Sequence, residues 1–168
     1  MKAIVEGYTF DFPKATSITK FDGDSHHMTH AMKAVDVLIE LPEWRFFVEV
    51  KDYELHCEWT ELLATEDKKQ KLEKLRSDLV YKYRDSFLYH WCQKAEEKKN
   101  AFVFLTDWSD AVKIVSFKTK LKGRFPTSDQ QCLWSNVWTR TFVDKLFVVN
   151  TDLWSKSTLS EWGTIEKP

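Results

Sequence analysis

Two short β-forming segments place the strongest constraint on how this 168-residue chain can fold. Residues 35–41 and 46–50 are rich in Val, Ile, Leu and Phe, and residues 42–45 separate them. Every second residue is apolar: Val37, Ile39 and Leu41 in the first segment, and Phe46, Val48 and Val50 in the second. Because side chains alternate across a strand, each segment has one wholly apolar face. The pattern predicts a β-hairpin whose apolar faces share one core.

The opposite face of this predicted hairpin carries charge. Asp36, Glu40, Glu49 and Lys51 would emerge there together. A four-residue loop at 42–45 would set Asp36 opposite Lys51 and diagonal to Glu49. Diagonal Cα atoms lie about 7 to 8 Å apart, a gap that two side chains can close around a small cation bound at about 2.1 Å. The pair Asp36 and Glu49 therefore predicts a Mg²⁺ site, with Lys51 close enough to hold a phosphate oxygen or a water.

A long helix and a buried strand are predicted after the hairpin. Between residues 71 and 95, apolar residues recur at steps of three or four, which is typical of one amphipathic helix. They are Leu72, Leu75, Leu79, Tyr83, Phe87, Trp91 and Ala95. Residues 101–105 then form a continuous apolar run, as expected of a strand covered on both faces.

The remaining third of the chain predicts two strands, a helix and a packed tail. Residues 112–117 and 145–150 are β-forming, and a Thr127/Ser128 cap can start a helix between them. That helix would run through Leu133, Trp134, Val137 and Trp138, and the tail would pack through Leu153, Trp154 and Trp162. We predict one domain over 1–168, with a core at 35–106 and a packed tail at 151–168. Its fold class is α/β, a mixed β-sheet flanked by α-helices.

Composition excludes several functional classes. Lys and Arg total 25 against 26 for Asp and Glu, so the chain is not a basic nucleic-acid coat and any phosphate-binding surface must be local. Cys57, Cys92 and Cys132 form no CxxC pair, which argues against a disulfide framework or a zinc ribbon. The position of Cys92 near the apolar helix stripe predicts that it is buried. With no apolar run near the roughly 18 residues of a membrane span, we expect a soluble cytoplasmic protein without a membrane partner.

At Asp36 and Glu49-Val50-Lys51, the sequence resembles the PD-(D/E)xK nuclease superfamily, whose mark is an Asp at one strand and an Asp/Glu-x-Lys on the next. Val35 stands here in place of the family's Pro. A strand hairpin, a long helix and a buried strand are also the family's core order, and they cover about residues 35–106. The resemblance implies a restriction-endonuclease-like core.

The resemblance also implies an activity, the Mg²⁺-dependent hydrolysis of nucleic-acid phosphodiester bonds that leaves a 5′-phosphate. Asp36, Glu49 and the backbone carbonyl of Val50 would ligate Mg²⁺ or Mn²⁺, and Lys51 would orient or activate the attacking water. Two alternatives stay open. Glu49 and Lys51 form a solvated surface ion pair worth about 0 to 1 kcal/mol, or the fold is a catalytically inactive module that binds nucleic acid or protein.

The predicted long helix carries a polar stripe beside its apolar one. Lys82, Ser86, Tyr89 and Gln93 recur at i, i+4, i+7 and i+11 and could be aimed at the metal site. The run from Lys82 to Ser86 is similar to a Lys-x-Arg-Asp-Ser/Thr element of some bacterial members of the superfamily. This resemblance makes Lys82 a candidate for contacting phosphate. The alternative is that Lys82 and Arg84 only solubilise the helix and pair with Asp78 or Asp85.

A second candidate for phosphate binding is a run of cations without acids between residues 113 and 124. In an extended segment Lys118, Lys120 and Lys122 would share one face and could follow a nucleic-acid backbone. The alternative is an edge strand on which lysines prevent aggregation. We expect a nucleic-acid partner, with DNA ahead of RNA, and a homodimer or a separate targeting subunit as the source of any sequence specificity.

Two further sets of residues have competing interpretations. His26, His27 and His30 have a spacing that can share Zn²⁺ on a helix, but they also suit ordinary loop or cap histidines that line the cleft before Asp36. Trp44, in the predicted hairpin loop, could stack on a base or form an oligomer contact.

Overall fold

A computed structural model describes residues 1–23, 32–52, 66–93, 97–125 and 142–167, with the backbone alone at 66–68. The strands in these ranges are β1 (Lys2–Val5), β2 (Tyr8–Asp11), β3 (Ser17–Lys20), β4 (Val37–Glu40), β5 (Trp44–Lys51), β6 (Lys99–Thr106), β7 (Lys145–Val149) and β8 (Thr164–Glu166). The helices are α1 (Glu66–Cys92), α2 (Ala111–Lys122), α3 (Thr151–Lys156) and a 3₁₀ turn at Thr158–Glu161. The predicted helix after Thr127 lies outside the described residues.

The strands form two sheets. The larger sheet has the order β3-β4-β5-β6-β7, and the smaller has the order β1-β2-β8. In the larger sheet β3, β4 and β5 pair antiparallel, whereas β5, β6 and β7 pair parallel. The predicted fold class, a mixed β-sheet flanked by α-helices, is confirmed at this level.

The hairpin of β4 and β5 exists, but its register differs from the predicted one. Glu40 pairs with Arg45, and the Leu41 N–H donates to the Trp44 carbonyl at 2.8 Å, so the turn has two residues rather than four. The predicted pairing of Asp36 with Lys51 is therefore wrong. Trp44 and Arg45 were predicted in the loop but belong to β5, because the hydrogen-bonded pairing with the first strand of the hairpin continues through them. Since the error is two residues, every side chain keeps its predicted face.

Both faces of the larger sheet are buried, which gives the structure three layers. One face packs Val37, Ile39, Phe46 and Val48 against the smaller sheet, which contributes Phe10 among others. On the opposite face, a second core joins the sheet to the helices through Leu38, Phe47, Leu79, Tyr83 and Phe117. Asp36 and Glu49, which lie on this second face, are consequently enclosed between sheet and helix.

Helix α1 is longer at its start than predicted and buries a shorter stripe. Leu75, Leu79 and Tyr83 are buried, but Trp91 is 61% exposed and Cys92 is also exposed, so their predicted burial is wrong. A step of four residues turns a helix by about 40° more than a full circle, so a stripe with repeated steps of four drifts off the packed face. The polar Ser86 is fully buried in its place.

Residues 112–117 do not form the predicted strand, because α2 spans them. The carboxylate of Asp110 accepts hydrogen bonds from the N–H groups of Val112 and Lys113, at 2.9 and 3.2 Å, and so caps the helix start. The side chains that α2 buries recur at steps of three and four: Ile114, Phe117 and Leu121. This spacing places them on one helix face, and the cap overrides the β propensity of the segment.

The C-terminal segment packs through its aromatic residues, and the strand predicted at 145–150 is present as β7. Trp154 is buried and donates its indole N–H to the Gly163 carbonyl at 2.9 Å. Ile165 of β8 pairs with Phe10 of β2. None of the helices in the described ranges combines the length and apolar character that a membrane span requires.

Gly163 lies so close to the end of β2 that it has no space for a side chain. A Cβ atom there would lie 2.6 Å from Phe12 Cγ and 2.8 Å from Phe12 Cα, and it would also clash with the Asp11 carbonyl. We expect Gly163→Ala to lower the free energy of unfolding by about 1 to 3 kcal/mol, because the backbone must shift. Denaturant titration followed by circular dichroism measures this change.

The matched control is Gly123→Ala, where the nearest atom to the new Cβ is the Lys120 carbonyl oxygen at 3.7 Å. We expect this control to stay within about 0.5 kcal/mol of the starting protein. Equal effects of the two substitutions would show that the contact between β8 and β2 is not tight in solution.

Candidate functional site

The structure brings together four of the residues singled out in the sequence: Asp36, Glu49, Lys51 and Lys82. Asp36 directly precedes β4, and Glu49 and Lys51 lie at the carboxyl end of β5. Lys82 comes from α1, which covers the same face of the sheet. The alternation of β5 directs Glu49 and Lys51 toward that helix, while Val50 between them points into the opposite core.

The two carboxylates converge on a single ammonium group. Lys82 Nζ lies 2.7 and 2.9 Å from the two carboxylate oxygens of Glu49 and 3.5 Å from Asp36 Oδ1. Lys51 Nζ lies 2.5 Å from Glu49 Oε1. The second oxygen of Asp36 accepts a hydrogen bond from the Val50 N–H at 2.6 Å, which ties Asp36 to β5. The position between Asp36 and Glu49 is thus one that the fold already fills with a positive charge.

Burial sets the electrostatics of this cluster. The side chain of Glu49 is fully buried, whereas those of Lys82 and Lys51 are 22% and 37% exposed. Burial, and then the charge of Asp36, raise the pKa of Glu49 to about 7, although both lysines act to lower it. The alternative of a solvated surface ion pair is therefore wrong, because one partner has no access to solvent. The lysines form the part of the cluster that reaches solvent.

The neighbouring carboxylates raise the pKa of Lys82. Burial lowers the pKa of Lys82, but the carboxylates of Glu49 and Asp36 more than offset it, so the pKa lies above its usual value. An ammonium group held between two carboxylates stays charged. Replacing Asp36 or Glu49 by a neutral residue would leave an uncompensated positive charge under the helix.

Asp22 is a further acidic residue near the cluster, and no sequence pattern singles it out. Strand β3 pairs with β4, and the Phe21 N–H donates to the Asp36 carbonyl at 2.8 Å, which brings the next residue close. Burial, and then the charge of Asp36, raise the pKa of Asp22. Only the pairing of β3 with β4 brings it there, and neither a motif nor a sequence spacing indicates that pairing.

The residues present fit a cation that two carboxylates share. Asp36 and Glu49 offer oxygen atoms from neighbouring strands, and the Lys82 ammonium is a stand-in for the ion they would bind. Within the described ranges, no three His, Cys, Asp or Glu residues are grouped closely enough to hold a metal. Backbone or water oxygens would have to complete the coordination, and the predicted role of the Val50 carbonyl stays a prediction.

Glu40 shares the charged face of the hairpin but has separate partners. Its carboxylate lies 2.5 Å from Arg45 Nε, 3.0 Å from Lys98 Nζ and 3.3 Å from His90 Nε2. Burial alone would raise the pKa of Glu40, but His90, Arg45 and Lys98 lower it to about 2. Glu40 thus lies on the predicted face of the sheet together with Asp36 and Glu49, but at the other end of the strands, where these partners neutralise it.

The polar stripe of α1 reaches the site through one residue. Lys82 contacts both carboxylates, and the Ser86 hydroxyl accepts a hydrogen bond from the Val35 N–H at 2.9 Å. The ring of Tyr89 packs against Phe21 instead. Ser86 therefore fixes the helix against the segment that leads into Asp36.

The alternative prediction was that Lys82 and Arg84 pair with acidic residues of their own helix. It is confirmed for Arg84 and wrong for Lys82. Arg84 lies 2.9 Å from Asp85, and Asp78 is paired with Lys33 at 2.6 Å. Lys82 turns inward to the carboxylates, since the strands and not its helix neighbours carry its partners.

The predicted cationic face of Lys118, Lys120 and Lys122 is wrong in its geometry. On a helix Lys118 and Lys122 lie four residues apart on one face, and Lys120 points elsewhere. Lys118 Nζ lies 5.9 Å from the centre of the Phe147 ring. Burial, Lys122 and Lys145 lower the pKa of Lys118, so positive charge is concentrated beside β7. A role in binding nucleic acid stays a prediction.

The three clustered histidines and Trp44 each have two competing interpretations. His26, His27 and His30 lie outside the described residues. The half-buried ring of Trp44 packs against Phe46 and Trp162, at 6.3 and 5.6 Å between ring centres. Trp44 is therefore part of the packing between the two sheets.

The raised pKa of Glu49 predicts a pH-dependent stability. Its pKa is about 7 in the folded protein and 4.5 ordinarily, so between these values the folded state binds more protons than the unfolded state. The free energy of unfolding should fall as the pH rises from 5 to 8, by up to roughly 3 kcal/mol from this group. Chemical denaturation in EDTA across that range measures it.

Glu49→Gln should flatten this part of the stability curve, because an amide does not titrate. All other titrating groups are common to both proteins, so the difference between the two curves reports Glu49 and the neighbouring charges coupled to it. Glu43→Gln makes the same chemical change at an exposed position of the hairpin turn and should leave the curve unchanged. Parallel curves for Glu49→Gln and the unsubstituted protein would contradict the expectation.

Searches of protein-family models, curated proteins and solved structures found no match to this chain. Any assignment to a family therefore rests on the residues and their geometry.

Proposed function

We propose that this protein is a Mg²⁺-dependent nuclease with a restriction-endonuclease-like core. The observation that carries the proposal is the convergence of Asp36 and Glu49 on one cation beneath α1. Glu49 and Lys51 come from β5, Lys82 comes from α1, and Asp36 directly precedes β4. Apolar packing buries the acidic pair. Two acidic side chains buried side by side are costly to maintain for stability alone, which favours a chemical role.

Asp36 and Glu49 would hold the ion, which could be Mg²⁺ or Mn²⁺. When bound, the ion would neutralise charge that develops on the phosphate during hydrolysis. Lys51, fixed on the strand two residues from Glu49 and partly open to solvent, would orient or activate the attacking water. Lys82, with Lys118 and Lys122 further away, would contact phosphates of the nucleic acid.

The position of the cluster in the sheet supports this assignment. Glu49 and Lys51 lie at the carboxyl end of β5, where β5 and β6 run parallel and end together at Lys51 and Thr106. Ligand sites in α/β sheets favour the carboxyl ends of parallel strands. The order of hairpin, α1 and β6 agrees with the core order that the resemblance implies.

The partner we propose is a nucleic acid, with DNA ahead of RNA. We propose a homodimer or a separate targeting subunit as the source of any sequence specificity. Cys92 is a free, exposed thiol, which suits the reducing conditions of the cytoplasm. A cytoplasmic location is therefore part of the proposal.

A second candidate function is a catalytically inactive module that binds nucleic acid or protein. The observation that favours it is the charge balance of the cluster. Lys82 and Lys51 already compensate the carboxylates, so the fold does not need a metal to be stable. Cleavage assays separate the two functions.

The purified protein is expected to cleave at least one of plasmid DNA, linear duplex, single-stranded DNA and RNA when Mg²⁺ or Mn²⁺ is present. Asp36→Asn, Glu49→Gln and Lys51→Met should each lower the cleavage rate by roughly 100-fold or more, because each removes a group at the reacting centre. Gel electrophoresis of the products measures the rate.

Glu43→Gln is again the matched control and should retain full activity, since its side chain is exposed at the hairpin turn. Two results together would exclude the nuclease. All substrates stay intact under these conditions, and calorimetry detects no cation binding that is lost in Asp36→Asn. Binding of nucleic acid without cleavage would favour the inactive module.

A further inference from the structure

Lys82 occupies the point at which a shared ion would bind. Its Nζ atom is within 2.9 Å of both Glu49 oxygens and within 3.5 Å of Asp36 Oδ1. Mg²⁺ bonds oxygen at about 2.0 to 2.1 Å and repels a neighbouring ammonium. An ion and the Lys82 ammonium therefore cannot occupy this point together.

The backbone of Lys82 is held independently of this ion pair. Leu79 and Tyr83, on either side of it, are buried in the core beneath α1, and Ser86 binds the Val35 N–H. The long, flexible stem of a lysine can move its ammonium group while the helix stays in place. The side chain is 22% exposed, so solvent is accessible to a displaced ammonium.

We propose that Lys82 is an internal cation that competes with the divalent ion for Asp36 and Glu49 and must leave them before the ion binds. This inference rests on the proposed function, because it assumes that the carboxylates take up a divalent ion. Lys82 is a positioning residue in the ion-free protein, because its ammonium group bridges the two buried carboxylates. Once displaced, its ammonium is free to bind a phosphate of the nucleic acid.

The competition has a measurable consequence for affinity. Part of the free energy of ion binding is used to break the contacts of Lys82, so their removal should increase the affinity of the site. Lys51 provides the comparison, since in the described part of the chain it pairs with Glu49 only. Both lysines put one positive charge beside the same carboxylate, but only Lys82 lies between the two acids.

Isothermal titration of the whole chain with Mn²⁺, without nucleic acid, tests the inference in four proteins. They are the unsubstituted chain, Lys82→Met, Lys51→Met and Asp36→Asn. We expect Lys82→Met to bind Mn²⁺ at least about tenfold more tightly than the unsubstituted chain, and Lys51→Met to differ from it by no more than about threefold. Asp36→Asn should abolish binding.

Lys82→Met removes the partner of two buried carboxylates, so its fold is checked by circular dichroism in EDTA. If it does not fold, Lys82→Gln replaces it, because an amide lacks the charge but can still donate hydrogen bonds to the carboxylates. The same increase in affinity is expected of this second variant.

Unchanged or weaker Mn²⁺ binding in the folded Lys82 variant would overturn the inference. If the unsubstituted chain nevertheless binds Mn²⁺ and Asp36→Asn does not, the metal site of the proposed function stands without the competition. Equal increases in Mn²⁺ affinity for the Lys82 and Lys51 variants would also overturn the inference, since such increases would reflect the change in net charge alone. No binding in any of the four proteins would overturn both the inference and the metal site.

Discussion

The burial of the Glu49 carboxylate is the constraint on which the rest of the site depends. An acidic group on the central strand of a sheet, with apolar cores on both faces, can ionise only if positive charge reaches it. Lys51 provides this charge from the same strand and Lys82 from the helix above. The helix therefore completes the electrostatics of the sheet, and its position matters as much as that of the strands.

The parts of the structure that depend on local alternation could be predicted. Alternation assigned Asp36, Glu49 and Lys51 to one face of the hairpin, and the spacing of apolar residues indicated α1. The register could not be predicted reliably, because it depends on where a ladder hydrogen bond closes the turn. Residues 112–117 have β-forming side chains, but the cap at Asp110 and the packing of the helix outweigh that preference.

Only part of the candidate site could be predicted from the sequence, because the rest depends on contacts between distant segments. Glu49 and Lys51 are two residues apart, so their common face follows from the chain itself. Lys82 was found through a local resemblance, and its inward direction depends on which side of α1 meets the sheet. Asp22 approaches Asp36 only through the pairing of β3 with β4, which no short pattern encodes. Long-range pairing is what a single sequence reveals least.

The location of Glu49 on a strand with paired neighbours on both sides has a further consequence. An insertion or deletion in a surface connection leaves such a strand where it is, because ladders on two sides hold it. Related chains could therefore diverge freely in loop length and in the ligands those loops favour, while the acidic pair stays in register. The centre of the sheet would keep the acidic pair in place, and the periphery would be open to change.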